Sequence, residues 1–468
     1  MRQLFRAFIP ASVIGLAISE AILIFFCYIA GEWLVIHLLN PYIDMTYYLV
    51  DDGGIIQISI VVACLILGLY FQNLYSNVRV KSATLLLQQV CLLVGLAFLI
   101  QAFLAYARHP EWSLPRWTMI LGSILAIAVI PGWRLFFSRA ILKYMGTQKI
   151  LFLGTSAVSR EIAAHLTSRP EIGMSVVGYI DDHVDLADLP GGSVIGPIKD
   201  LSTIAGNLRP DVIVVGMTER RRELPMPEML HLRFSGIHFE EAAVTFEAAF
   251  GRVSTREMRP SRLVYSSELG PRKGSLFWHS LYSLPISIVL LILFSPVMLI
   301  TAIIVKLTSP GPIFHRQLRV GLNGAVFTVY KFRSMYIDAE ARTGPVWAKK
   351  DDPRITRPGK FIRRFRIDEF PQLLNVLRGD MALVGPRPER PEFVKSLNEH
   401  IPYFNYRHCV KPGITGWAQI NYKYGDTLED AIMKLEYDLY YIKNLTVWLD
   451  LYIIFHTLKV MLFSETAQ

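Results

Sequence analysis

Cysteine is scarce, with four in 468 residues. Cys27, Cys64 and Cys91 fall inside apolar runs and Cys409 stands alone, so neither a disulfide framework nor a zinc site is expected. Charge is scarce too: 19% of residues are charged and 52% hydrophobic, and the mean hydropathy is +0.35. That balance suits a membrane protein with sizeable soluble parts. The charge that is present is uneven. The chain carries +9 overall, and residues 271 to 468 hold 26 Lys+Arg against 17 Asp+Glu, which is the whole +9; the remainder is neutral. A basic C-terminal part suits a phosphate-bearing partner or an anionic membrane face. Nucleic acid is excluded as the partner, because long hydrophobic spans precede that part.

Four apolar runs fill the first third, roughly residues 11 to 38, 55 to 71, 84 to 105 and 117 to 137. Each approaches or exceeds the ~20 residues that cross a bilayer as a helix. Arg2 and Arg6 precede the first run, and Arg79 and Lys81 lie between the second and third. Arg134, Arg139, Lys143 and Lys149 follow the fourth, whereas the first connection holds Asp44, Asp51 and Asp52 with no Lys or Arg. That asymmetry puts both ends of the bundle in the cytoplasm, with Arg108 and Arg116 a weaker opposing signal. A cleaved leader is not expected, since the first run is too long and lacks a small-residue site. The bundle has no ionisable cluster to line a transport path, so its expected role is anchoring or homodimerisation. Glu20 is read as the intramembrane acid and assigned to a helix–helix contact.

Residues 149 to 250 change character. KILFLG (149 to 154), SVVGYIDD (175 to 182) and DVIVVGM (211 to 217) are β-rich runs alternating with helical stretches, the pattern of a small parallel α/β unit. The glycines of a dinucleotide fingerprint are mostly missing: Gly154 is present, but Ser156 and Ser159 stand at the other positions. Asp181 or Asp182 lies where an acid could meet a ribose, or simply ends a strand. A structural or regulatory module is therefore expected rather than cofactor chemistry. Residues 251 to 275 read as a polar connector.

The fifth apolar segment, residues 285 to 305, is interrupted at Ser295-Pro296. Proline removes a backbone hydrogen bond, serine can satisfy a freed group, and basic residues flank the segment on both sides. A re-entrant helix–break–helix that returns to one face is expected; a fifth kinked span is the alternative. From Lys306 to Arg366 there are 14 Lys+Arg against 4 Asp+Glu, a density suited to diphosphates and lipid headgroups. Residues 447 to 463 are apolar and short for a span, and read as a helix lying in the interface.

The stretch RRFRIDEFPQLLNVLRGDMALVGPRPERP (363 to 391) sets two adjacent carboxylates, Asp368 and Glu369, among arginines. Phe370 to Leu377 has helical spacing, which puts Asp368 at or beside a helix N-terminus, where it would stay ionised as a nucleophile or metal ligand. An ordinary capping Asp beside a charged surface is the plain alternative. The stretch resembles the signature of the bacterial polyprenyl-phosphate hexose-1-phosphate transferases, the monotopic phosphoglycosyl transferases. SPGPIFHRQLRVGLNG (309 to 324), VYKFRSM (329 to 335) and RHCVKPGITGWAQINYKYG (407 to 425) agree in order. GPRPERPEFV and YDLYYIKN are most similar to exopolysaccharide-type members.

The resemblance implies an enzyme of the bacterial inner membrane, multi-pass, with its catalytic part on the cytoplasmic face. It would move a sugar-1-phosphate from a nucleotide diphosphate sugar, UDP-linked, to polyprenyl (undecaprenyl) phosphate, initiating an exopolysaccharide or related glycan. Asp368 would form an aspartyl phosphosugar, Glu369 would handle protons or orient, and Mg2+ would be held partly by Asp368. Lys331, Arg333, Arg363 and Arg387, with Pro386 shaping the loop, would bind phosphates. The expected fold is a membrane α-helical bundle (1–145), a cytosolic Rossmann-like α/β domain (146–255) and a linker (256–275). A mainly α monotopic catalytic domain (276–468) with the re-entrant helix 285–305 completes it. A membrane scaffold with an inactive transferase domain and a nucleotide-sugar-modifying enzyme are the rival classes. The second is disfavoured by Asn444, where a Tyr440-x-x-x-Lys pair would need lysine.

Overall fold

The computed structural model describes residues 11–39, 44–72, 74–75, 83–106, 110–141, 148–169, 173–182, 189–217, 224–257, 273–337, 354–422, 425 and 427–463. The chain forms two compact units, residues 1–249 and 250–468.

In the first unit the apolar runs fold as four long helices, α1 (Ala11–Leu39), α2 (Gly54–Phe71), α3 (Ala83–Tyr106) and α4 (Arg116–Phe136). All four are long and apolar enough to cross a membrane. Small residues let α1 and α4 approach closely: a Cβ on Gly31 would sit 2.7 Å from the Gly122 nitrogen. The fully buried Glu20 joins these two helices, as expected of it, through Arg134 (Nε to Oε1 2.5 Å). It also accepts a hydrogen bond from the Tyr75 hydroxyl at 2.6 Å. Arg134, read as a flanking charge, is therefore a buried partner. A second buried acid went unread: Glu32 on α1 accepts from the Thr118 hydroxyl on α4.

The same unit contains a five-stranded parallel sheet in the order β3-β2-β1-β4-β5, from β1 (Gln148–Leu153), β2 (Met174–Ile180), β3 (Val194–Gly196), β4 (Val212–Val215) and β5 (His238–Glu241). This is the doubly wound order expected of alternating buried strands and helices. At the first turn, Ser156 caps helix α5 (Ala157–Ser168), accepting from the Ser159 nitrogen. Asp181 accepts from the Thr155 amide and hydroxyl at 2.8 and 2.6 Å, and Asp182 accepts from the Ile198 amide at 3.0 Å. Side-chain caps hold the turn together where a nucleotide-binding loop would present glycines.

The second unit begins before its expected start. Residues 251 to 257 pack on a C-terminal helix, through an Arg252–Glu436 ion pair, the Val253 amide on the Glu436 carbonyl, and the Thr255 amide and hydroxyl on Glu436 Oε1. Trp417, buried, donates to the Gly251 carbonyl at 2.7 Å. The rest of the expected connector, 258 to 272, lies outside the described residues. A chain starting at Phe250 is expected to keep the fold of this unit. One starting at 258 leaves Glu436 buried without its cation and is expected to lose about 3–5 kcal/mol of stability. Denaturant unfolding of the two truncations in lipid or detergent measures the difference, and equal midpoints would contradict it.

Helix α6 (Lys273–Thr308) follows, 36 residues with Pro285 and Pro296 inside. It corrects the expected break: helix runs continuously through Ser295-Pro296. The cause is local. Pro296 cannot donate to the Ile292 carbonyl, and the Ser295 hydroxyl donates to that same oxygen at 2.7 Å. Next come the antiparallel hairpin β6 (Phe314–Val320) and β7 (Val326–Phe332), then α7 (Arg357–Arg364). A 3-10 turn (Ile367–Gln372) leads into α8 (Leu373–Arg378). Strand β8 (Ala382–Val384) pairs in parallel with β9 (Gly413–Thr415). Helices α9 (Leu428–Lys443) and α10 (Val447–Phe463) close the unit.

Candidate active site

The two carboxylates sit in the first turn of the 3-10 segment, so Asp368 lies at a helix N-terminus as expected, while the cap position itself is held by Arg366. Arg366 adopts φ 53°, a left-handed backbone uncommon for a branched or long side chain. It sends its guanidinium back to Glu369, Nη1 lying 3.6 Å from Oε2. Two further cations meet the other oxygen of Glu369: Lys331 Nζ at 3.1 Å and Arg387 Nη2 at 2.8 Å. Asn375 on α8 holds the strand that carries Lys331, accepting from the Tyr330 amide and donating to the Thr328 carbonyl at 2.7 Å.

The neighbours therefore differ sharply. Burial alone would raise the Glu369 carboxyl, but Arg387, then Lys331 and Arg366, hold it well below the usual carboxylate range. Burial first, and the Glu369 charge second, push Asp368 above its ordinary value, against Lys331, Arg363 and Arg387. Burial likewise draws the Lys331 ammonium down, with Glu369 opposing. Among the described residues Asp368 takes part in no hydrogen bond or ion pair. Glu369 thus holds the firmer negative charge, and Asp368 is the less acidic partner, without a hydrogen bond among the described residues.

Arg387 is held by its backbone. Four successive carbonyls of its loop each accept a hydrogen bond. Pro386 accepts from the Gly413 amide (3.0 Å), Arg387 from Arg407 Nη2 (2.9 Å), Pro388 from Arg319 Nη1 (2.9 Å) and Glu389 from the Val320 amide (2.9 Å). The KPGITGW loop lies against it as expected, so closely that a Cβ on Gly413 would stand 2.1 Å from the Gly385 nitrogen. Arg407 is in turn paired with buried Asp438 at 2.7 Å. Sequence reasoning missed Arg319, Arg407 and Asp438, since nothing local to their motifs marks which backbone they reach.

Lys331, Arg363, Arg387 and Pro386 are thus brought to the carboxylate pair or its loop, and Arg333 is not. Its Nη2 donates to the Ser309 carbonyl and hydroxyl, both at 2.8 Å, and its Nη1 to the Pro310 carbonyl at 2.7 Å. It closes the C-terminal end of α6, where a helix leaves carbonyls unpaired. Ser295 and Pro296 lie mid-helix, and the adjoining Phe294 stacks on Phe370, ring centroids 4.6 Å apart.

The family described as bacterial sugar transferase matches residues 275–464. A UDP-glucose:undecaprenyl-phosphate glucose-1-phosphate transferase of Xanthomonas campestris pv. campestris is 32% identical over 353 residues, 74% of this chain and 73% of that protein. The chain belongs to the bacterial sugar transferase family. A UDP-N-acetylgalactosamine-undecaprenyl-phosphate N-acetylgalactosaminephosphotransferase of Aeromonas hydrophila is 49% identical over 176 residues, 38% of this chain and 41% of that protein. An undecaprenyl-phosphate glucose phosphotransferase of Komagataeibacter xylinus is 31% identical over 359 residues, 75% and 66% of the two chains. The matched stretch thus spans less than two thirds of those last two relatives. A second family, described as CoA-binding domain, matches residues 71–218.

Among the described residues no three His, Cys, Asp or Glu side chains form a metal cluster. Of the two carboxylates only Asp368 has an oxygen to offer a cation such as Mg2+, because three cations already meet Glu369. Asp368 offers a hard oxygen free of other partners among the described residues, and magnesium is commonly held by one or two carboxylates plus substrate phosphates and water.

Proposed function

We propose that the protein transfers a sugar-1-phosphate from a UDP-sugar to polyprenyl phosphate, initiating glycan synthesis at the bacterial cytoplasmic membrane. The observation that carries the reading is the asymmetry of the pair: one carboxylate ringed by Arg366, Arg387 and Lys331, the other without a hydrogen bond among the described residues. An Asp368 oxygen attacks the β-phosphorus of the donor; the P–O bond to the α-phosphate breaks and UMP leaves with that oxygen. An oxygen of polyprenyl phosphate then attacks the same phosphorus, the P–O(Asp368) bond breaks, and the lipid-linked diphosphate sugar leaves. Two half-reactions suit substrates that arrive from water and from lipid. Lys331 and Arg387, oriented by Glu369, face the transferring phosphates, and Arg363 adds positive charge beside Asp368. Mg2+, held in part by Asp368 and the donor oxygens, would neutralise diphosphate charge.

The named relatives act on glucose and N-acetylgalactosamine donors, so the test is a panel. Purified protein incubated with several UDP-sugars and undecaprenyl phosphate is expected to release UMP with at least one of them. No UMP from any donor would overturn the reading.

Two contacts support the same-side reading of α6. At 36 residues the helix is about 54 Å long, well over a bilayer core. Yet His279 near its start reaches the Val384 carbonyl at 2.9 Å, and the Ser309 carbonyl just past its end is bound by Arg333. Both ends thus touch one compact unit, which a straight crossing would have to carry through the bilayer. Cysteines at Gly274 and Ser396 are expected to react with a membrane-impermeant thiol reagent only from the cytoplasmic side. Labelling of Ser396→Cys in intact cells from outside refutes it. Gly311, which looks suitable in the sequence, is not: its φ is +119° and a Cβ would lie 2.1 Å from Arg333 Nη1.

A further inference from the structure

A buried polar cluster lies just before the Arg387 loop and has no part in the site described above. His279 on α6, Tyr441 on α9 and Asp450 in the first turn of α10 are 2%, 1% and 0% exposed. The Val384 carbonyl, at the end of β8 and three residues before Arg387, is 2.9 Å from His279 Nε2. A carbonyl can only accept, so Nε2 carries the proton. The Tyr441 hydroxyl is 2.8 Å from Asp450 Oδ1 and 3.3 Å from that same carbonyl. Tyr282, three residues along α6 from His279, donates its hydroxyl to Asp450 Oδ2. Helix α6 through His279 and α9 through Tyr441 therefore meet at a single backbone oxygen, and Asp450 ties α10 to the same tyrosine.

Apolar side chains would fill this space without any requirement for partners, whereas buried polar groups are costly unless fully satisfied. What they add is direction. The four carbonyls after Gly385 are each pinned, and the cluster fixes the carbonyl that enters that run.

We propose that His279, Tyr441 and Asp450 are positioning residues for the transfer reaction, fastening the membrane helix α6 and the C-terminal helix α10 to the strand β8 that leads into the loop from which Arg387 reaches Glu369. The inference rests on the proposed function, and it makes the reach of Arg387 depend on how α6 is seated.

The test uses the full chain in lipid nanodiscs with two readouts: amide exchange over residues 382 to 390, and kcat and KM for UMP release. In His279→Ala, exchange is expected to rise about fivefold or more and kcat to fall about tenfold, with KM for the donor within about twofold. His279→Gln keeps an N–H donor at similar reach and is expected to recover most of both losses. Tyr441→Phe, which keeps the packing volume, is expected to show a smaller loss in the same direction. Parental exchange and kcat in both His279→Ala and Tyr441→Phe would overturn the proposal, as would a fall in kcat that His279→Gln does not relieve. If the unaltered chain releases no UMP from any donor, the proposed function fails, and exchange alone still decides whether the cluster holds the loop.

Discussion

Asp368→Asn is expected to abolish UMP release and covalent labelling by a sugar-labelled donor, a loss on the order of a thousandfold or more. An amide of the same shape cannot attack phosphorus. The variant should fold at least as well as the parent. Asp368 makes no hydrogen bond among the described residues, and its carboxyl is disfavoured by burial and by the Glu369 charge. Removing the acid relieves both. Thermal unfolding that is unchanged or raised, together with lost turnover, separates a chemical role from a structural one. Full turnover by this variant would end the assignment of Asp368 as nucleophile.

Glu369→Gln has a different signature. It removes the charge on which Lys331, Arg366 and Arg387 converge, leaving cations in a largely buried place. Breaking such a cluster from one side costs about 3–5 kcal/mol, and misplaced phosphate-binding groups should lower kcat by about a hundredfold. The pH profile gives the sharper reading. Asp368 reacts as the anion, so activity falls on the acid side as it gains a proton. Burial and then Glu369 raise its pKa. With the neighbouring charge gone, the acid limb of kcat/KM should move to lower pH. A limb that stays in place would show that the two carboxyls do not titrate together.

Much of the fold was readable because it depends on composition and period. Long apolar runs became α1 to α4, and short buried runs became parallel strands. The Asp368–Glu369 pair and the glycine-rich loop beside it were also marked locally. What could not be read was partnership over long separations. Arg333 and Lys331 sit two residues apart in one strand-end motif, yet one closes a helix and the other meets a carboxylate. Arg252 finds Glu436 across 184 residues, and Arg407 finds the Arg387 carbonyl by tertiary placement. Which carboxylate holds the firmer charge depended on where three cations converge, so the sequence could mark the pair but not order it.

The Ser295 hydroxyl on the Ile292 carbonyl has a consequence for how this segment can vary. Pro296 withholds an N–H from that oxygen and the serine hydroxyl supplies an O–H in its place, so serine meets the need that proline creates. Serine lost alone strands a carbonyl where lipid offers no donor, a cost of several kcal/mol. Proline lost alone adds a backbone N–H beside the hydroxyl, and the two lone pairs of the carbonyl accept both. Both lost together restore an ordinary helical hydrogen bond. Drift through this dipeptide is therefore contingent: proline can be exchanged first and serine afterwards, while the reverse order passes through a damaged helix.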